Sequence, residues 1–308
     1  MLVGLSVFDA HCDTVSRCYR TGERLFANGG MVSLEKSERA FSRYCQFFAL
    51  FANCAKEKHP TYEQLRACFR SELDANRERI QACRTGAEAH AANKAGKAAA
   101  FLTVEGGELL GCDPEQVCRA AADGVVAVNL TWNNANAISG SCREETDRGI
   151  SAVGRRFVEK LEEFHILPDV SHISDRGFWD LTEIYSGPIL ASHSNARAIW
   201  AHPRNLSDEQ IAAVIRSGGL IGLNFYRDFV GRGEDFDSIY AHADHILSLG
   251  GSSNLGLGGD WDGCDTVDEL PAIDCLSNLY EYLLSRNLSE EILLDLFYNN
   301  LMRVVSLP

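Results

Sequence analysis

No apolar run in this chain approaches the ~18 residues that a membrane-spanning helix needs, and its longest candidate, Cys45 to Ala55, stops well short. Basic residues are scarce as well: 29 Lys and Arg stand against 43 Asp and Glu, a formal charge of −14. Phosphate contacts need clustered cations, so this balance argues against nucleic acid or an anionic membrane as a partner. No basic segment precedes the first apolar run, which makes the start a poor export signal and a cytoplasmic location the expectation. The 11 cysteines are odd in number and contain no Cys-x-x-Cys pair, so they read as reduced thiols. No Pro/Gly/Ser-rich linker, repeat or low-complexity tract divides the 308 residues. One domain over 1–308 is expected.

What is present alternates. Short apolar runs at Leu2–Phe8, Cys45–Phe51, Ala98–Val104, Val125–Leu130, Ile166–Val170, Pro188–Ala191, Leu220–Asn224 and Leu255–Gly258 read as eight strands. Helical stretches lie between most of them: Thr61 to about Lys97 with a break near Gly86, a segment opened by Asp113-Pro114, then Ile150–His165, Ser174–Tyr185, one opened by Ser207, and Phe236–Leu249. Cys275–Arg286 and Leu288–Val305 close the chain as helices, and Arg17–Arg43 reads as a long loop. Alternating strands and helices imply a parallel sheet, and eight units in a chain this long imply a closed (β/α)8 TIM barrel. A doubly wound open sheet is the alternative.

Metal-ligand residue types stand just past several of these strands: His11 and Asp13, Glu105, His172, His193 and Asp260. Side chains two apart on a strand share a face, so His11 and Asp13 would aim at one point. Each alone is also what a core histidine or a turn aspartate looks like. Together they occupy strand C-termini, where barrels place active sites. Nitrogen and carboxylate ligands without thiolate fit Zn²⁺ and leave Mn²⁺ or Fe²⁺ open. Cys12 would face away from its neighbours. His59, His90, His165, His202, His242 and His245 read as surface or capping residues.

Seven blocks carry a specific resemblance: Asp9-Ala10-His11-Cys12-Asp13-Thr14, Val104-Glu105-Gly106-Gly107, Leu130-Thr131-Trp132-Asn133, Asp169-Val170-Ser171-His172, Ser192-His193-Ser194-Asn195-Ala196, Pro203-Arg204-Asn205 and Gly258-Gly259-Asp260-Trp261-Asp262-Gly263. In that order and over nearly the whole chain, the sequence resembles the membrane dipeptidase (renal dipeptidase) family, metallopeptidase family M19, among the amidohydrolase-like barrels, in a bacterial-type form.

The resemblance implies a zinc-dependent dipeptidase with two Zn²⁺ per chain and a metal-bridging hydroxide, acting on dipeptides that include L-Xaa-D-Xaa. It makes His11 and Asp13 ligands of one zinc and His172 and His193 ligands of the other, with Glu105 bridging. It gives Asp260 the proton of the attacking water and contact with the substrate amino group, and gives Arg204 the C-terminal carboxylate, which a guanidinium fork suits. Asp262 reads as a turn residue. Trp132 stands where mammalian members carry a His that polarises the carbonyl; either metal polarisation suffices without that His, or Trp132 shapes a different pocket. Relatives imply a homodimer. Hydrolysis of another small amide, cyclic amide or lactam, and a non-catalytic metal-binding protein, are the alternative functions.

Overall fold

The computed structural model describes residues 4–231 and 233–307. Leu2 and Val3, the start of the first expected strand, lie outside them. In chain order the elements are β1 (Ser6–Cys12), α1 (Thr14–Thr21), α2 (Leu34–Ala40), β2 (Arg43–Phe51), α3 (Tyr62–Ala75), β3 (Ile80–Ala82), α4 (Gly86–Lys94), β4 (Ala98–Glu105), α5 (Pro114–Asp123) and β5 (Val125–Asn129). There follow α6 (Ala152–Glu163), β6 (Leu167–Asp169), α7 (Asp175–Ile184), β7 (Leu190–Ala191), α8 (Asp208–Arg216), β8 (Leu220–Leu223), α9 (Arg227–Val230), α10 (Phe236–Ser248), β9 (Leu255–Leu257) and α11 (Leu276–Ser285). The chain closes with α12 (Glu290–Leu294), a π turn (Asp295–Asn299) and α13 (Asn300–Val304).

Eight of the strands close a parallel ring in the order β1-β2-β4-β5-β6-β7-β8-β9, because β2 pairs directly with β4 and β1 with β9. This is the (β/α)8 barrel, and the open-sheet alternative falls. The ninth strand, β3, is a spur. It pairs with Ala98–Ala100 on the edge of β4, below the point where β5 takes over at Leu102. Residues 61–97 are therefore two helices and a strand. Thr61 and Thr85 cap the two helices, and three residues are too few to show a period of two. The expected loop at 17–43 likewise contains the end of α1 and all of α2, which Ser33 caps by accepting from Lys36 N.

Two apolar layers hold the ring. The larger lies between strands and helices and includes Val7, Cys12, Phe48, Leu102 and Val104. The smaller includes Phe8, Phe47 and Phe101 with Tyr298, Leu301 and Met302. Phe8 and Phe101 stack at 5.1 Å although β2 runs between their strands. Only side chains pointing into a closed barrel meet that way. The C-terminal helices thus seal one mouth of the barrel, and the strand C-termini open at the other.

Inward Phe8 has a consequence for β1. Strict alternation would turn His11 outward. The register slips instead between Asp9, opposite Gln46, and Cys12, opposite Phe48, three steps against two. This one-residue bulge re-aims the strand end. His11 turns in, and Cys12 packs outward in the helix-facing layer with no exposed surface.

Candidate metal centre

Glu105 closes β4 on the inward parity of Phe101 and Thr103, and stands at the centre of the open mouth. Its two oxygens face different partners. Oε2 lies 3.7 Å from His11 Nε2, while Oε1 lies 2.9 Å from His172 Nε2 and 3.6 Å from His193 Nε2. His11 Nε2 also lies 3.6 Å from Asp13 Oδ2. Two groups result, with ligand atoms within 4.8 Å of one another: His11, Glu105 and His193, and His11, Asp13 and Asp260. His11 stands in both. His193, His11, Glu105, Asp13 and His172 are all buried.

These residues fit cations by their own chemistry. His11 Nε2 and Asp13 Oδ1 are buried without a hydrogen-bond partner, although they face acids and imidazoles. His172 Nε2 and His193 Nε2 face each other at 3.0 Å, and each Nδ1 has a partner behind it: Asn133 Oδ1 at 3.0 Å and Ser192 Oγ at 2.7 Å. With Nδ1–H donating to Asn133, the His172 Nε2 carries its lone pair into the cluster. Outer partners of this kind hold metal-binding imidazoles in one tautomer. No thiolate joins the set, since Cys264 Sγ is spent on Asp260 O.

Charge in the cluster points the same way. Burial pushes the carboxyls of Glu105 and Asp260 up, with Asp13 adding like charge, and pushes the imidazoles of His172 and His193 down. Burial also opposes a charged His11, but Glu105, Asp13 and Asp260 outweigh it and raise its pKa to about 10. The acids demand a positive charge, and a divalent ion supplies more of it than one proton.

Backbone strain collects here. His172, Asp260 and Asp262 have φ of 77°, 57° and 64°, in the left-handed region that side chains rarely adopt. Asp262 holds its turn by accepting from Thr14 Oγ1 and Met31 N at 2.7 and 2.6 Å. Asn224 Nδ2 donates to Asp260 Oδ2 at 3.1 Å. Arg204 is buried. Its terminal nitrogens reach His193 O at 3.1 Å and Ser194 Oγ at 3.4 Å, it stacks over Phe229, and its Nε has no partner. Above the cluster lies a cavity of about 470 Å³, lined among others by Phe51, Trp132, Tyr226 and Phe229. Trp132 packs 4.9 Å from Phe51 and 6.3 Å from His172 between ring centres.

The model of the membrane dipeptidase family, peptidase family M19, matches residues 1–307. The chain belongs to that family. Its class is therefore that of a metallo-dipeptidase, a hydrolase of dipeptides. A solved M19 metallopeptidase, dipeptidase AC, superposes with a TM-score of 0.88 at 25% identity, covering 98% of both chains. A metallopeptidase of Rhodobacter sphaeroides, solved with a phosphinate mimic of L-Ala-D-Ala, reaches 0.88 at 24% identity over 98% of this chain and 99% of that one. By sequence, the chain is 32% identical over 196 residues to an uncharacterized protein of Klebsiella pneumoniae, covering 60% of this chain and 72% of that protein. It is 31% identical over 166 residues to an uncharacterized dipeptidase of Schizosaccharomyces pombe, covering 52% of this chain and 41% of the other, so that match spans less than half of the yeast protein.

Every residue singled out from the sequence for metal or substrate lies at this one mouth. The supporting shell was not read there: Asp9, Asn133, Ser192 and Asn224 were not assigned roles. Three of them do stand in the quoted blocks, and two, Asp9 and Ser192, share a block with a ligand-type residue, which was the available signal. His242, expected as a surface or capping residue, is not at the surface. It is fully buried, bridging Ala196 N and Val230 O. Among the described residues no helix is long and apolar enough to cross a membrane.

Proposed function

We propose that this chain, as one catalytic domain over residues 1–308, is a zinc-dependent dipeptidase with a two-metal site. The observation that carries the reading is Glu105 with its two oxygens turned to different imidazoles, beneath a cavity of about 470 Å³ and near the buried Arg204. His11 and Asp13 would hold one ion, His172 and His193 the other, with Glu105 between; Mn²⁺ or Fe²⁺ would suit the same donors. Divalent ions held there acidify water and polarise a carbonyl.

The chain's own groups supply the rest. Asp260, fixed by Asn224, takes the proton of the attacking water at a carboxylate oxygen and passes it to the leaving amine. Arg204 offers its unpartnered Nε to the terminal carboxylate of the substrate. A buried guanidinium beside the cluster would select length, because only a dipeptide would place its terminal carboxylate there. Phe51 and Trp132 wall the pocket and exclude water from it. The family resemblance extends the substrate range to a D-residue at the C-terminal position.

The test is turnover of a dipeptide panel together with metal content, before and after chelation and Zn²⁺ restoration. Two Zn²⁺ per chain and restored hydrolysis are expected, with Arg204→Ala lowering kcat/KM by about 10- to 100-fold. Metal-loaded enzyme inert on every dipeptide would overturn the reading, and turnover of a lactam or other amide alone would replace it.

A further inference from the structure

Among the described residues Arg204 is the only lysine or arginine that is buried. Burying a guanidinium is costly unless something answers its charge. Its side-chain hydrogen bonds go to neutral oxygens, His193 O and Ser194 Oγ. The further contact is aromatic: Arg204 Cζ lies 5.1 Å from the centre of the Phe229 ring. A desolvated cation over the negative face of a ring is held more firmly than an exposed one.

Phe229 is itself held by ring and backbone contacts. The ring of His202 packs 4.6 Å from its centre, and that of Tyr226 packs edge-on at 4.7 Å. Within α9, Phe229 N donates to Tyr226 O at 2.9 Å. Phe229 O accepts from Asn205 Nδ2 at 3.0 Å and from Asn195 Nδ2 at 3.4 Å. Asn205 follows Arg204 in the chain, and Asn195 follows Ser194. The segments that carry the guanidinium and its hydroxyl acceptor are therefore both clipped to the residue whose ring the guanidinium faces. His202 adds a third tie, its Nδ1 accepting from Arg204 N at 3.1 Å.

Phe229 lines the large cavity, while Arg204 lines a small adjoining one, and His172 lines both. The ring thus stands on the cavity side of the guanidinium. Each terminal nitrogen of Arg204 already donates to an oxygen, and Nε is the guanidinium nitrogen without an acceptor. Where that free edge points depends on what grips the flat face.

We propose that Phe229 is a positioning residue, which holds Arg204 by its flat face so that the Nε–H edge meets the terminal carboxylate of the substrate. The inference rests on the dipeptidase reading above, in which Arg204 binds that carboxylate.

The experiment measures Ki on the Zn²⁺-loaded protein for two phosphinate mimics of Ala-Ala, one with its terminal carboxylate and one with a methyl group in its place. Wild type is expected to bind the acid more tightly. Phe229→Leu keeps apolar bulk and removes the ring. It should raise Ki for the acid by about tenfold or more and leave Ki for the methyl mimic unchanged. With dipeptide substrates the change should fall on KM more than on kcat. Phe229→Tyr should retain tight binding. Progressive fluorination of the ring at position 229, which drains its negative face at nearly constant shape, should raise Ki for the acid stepwise. Equal losses for both mimics in Phe229→Leu, or a flat response to fluorination, would overturn the inference and leave the dipeptidase reading standing. Wild type that binds both mimics equally takes Arg204 off the carboxylate, and the inference falls with it. If no dipeptide is cleaved at all, both are overturned.

Discussion

Asp9 makes no contact with the cavity, yet it sets the position of a residue that does. Its Oδ1 accepts from His11 N at 2.9 Å and Gln46 Nε2 at 3.1 Å, and its Oδ2 from Gly259 N at 3.0 Å and Trp261 Nε1 at 2.9 Å. One buried carboxylate thereby joins β1, β2 and the loop after β9, and braces the bulge that turns His11 inward. Asp9→Asn turns a donor toward at least one of these donors. We expect a stability loss of about 1–3 kcal/mol and a metal affinity lower by about 10- to 100-fold. Calorimetric titration of metal into the apo variant measures the affinity and urea unfolding of the same preparation the stability, and unchanged affinity would show that the brace is dispensable. The sequence shows Asp9 in a motif but not this role, because its partners Gly259 and Trp261 lie 250 and 252 positions away.

At the scale of elements, the loop after β9 is packed against the end of β1 without spare room. A Cβ on Gly263 would sit 2.1 Å from Asp13 Oδ2 and 2.8 Å from Asp260 Oδ1. Gly263→Ala must therefore displace the Asp13 carboxylate, which is held in place by no bond of its Oδ1. The expected result is a loss of metal affinity of about tenfold or more with a small change in melting temperature, since a ligand moves while the core is untouched. Equal metal binding by wild type and variant would refute it. Elements also differ in how legible they were. The long apolar strands β2 and β4 were read within two residues, because their hydrophobic runs are continuous on both faces. The spur β3 and the helix α2 escaped, being three and seven residues long. The bulge in β1 escaped for another reason: alternation predicts a shared face for His11 and Asp13, and says nothing about a slipped register.

For the molecule as a whole, His242 of α10 gives stability a dependence on pH. Its Nδ1 accepts from Ala196 N and its Nε2 donates to Val230 O, so the neutral ring is fully satisfied. Burial lowers its pKa from 6.5 to about 4, with His245 adding to the shift. The unfolded chain therefore binds a proton between these values that the folded chain refuses. The contribution is complete above pH 6.5 and is lost as pH falls toward 4, by about 1.4 kcal/mol per pH unit. His242→Asn keeps the bond to Ala196 and cannot titrate. The difference in unfolding free energy between wild type and variant, measured in urea from pH 7 to pH 4.5, should shrink as the pH falls. A constant difference would remove His242 from the account.

What the sequence determined by itself was the class of fold and the identity of the groups at the site. Strand and helix periods are local, and eight of them in a chain of 308 residues imply a parallel α/β sheet, with a closed barrel ahead of a doubly wound open one until the pairing of β1 with β9 decides it. The residue types His11, Asp13, Glu105, His172, His193 and Asp260 are equally local, each at a strand end. Tertiary structure decided how they meet. Closure of β2 onto β4 excluded the spur, the slip in β1 turned His11 inward, and convergence of separate strands set Glu105 between His11 on one side and His172 and His193 on the other. It also buried Arg204. These outcomes depend on contacts between residues tens to hundreds of positions apart, whose geometry no local pattern encodes.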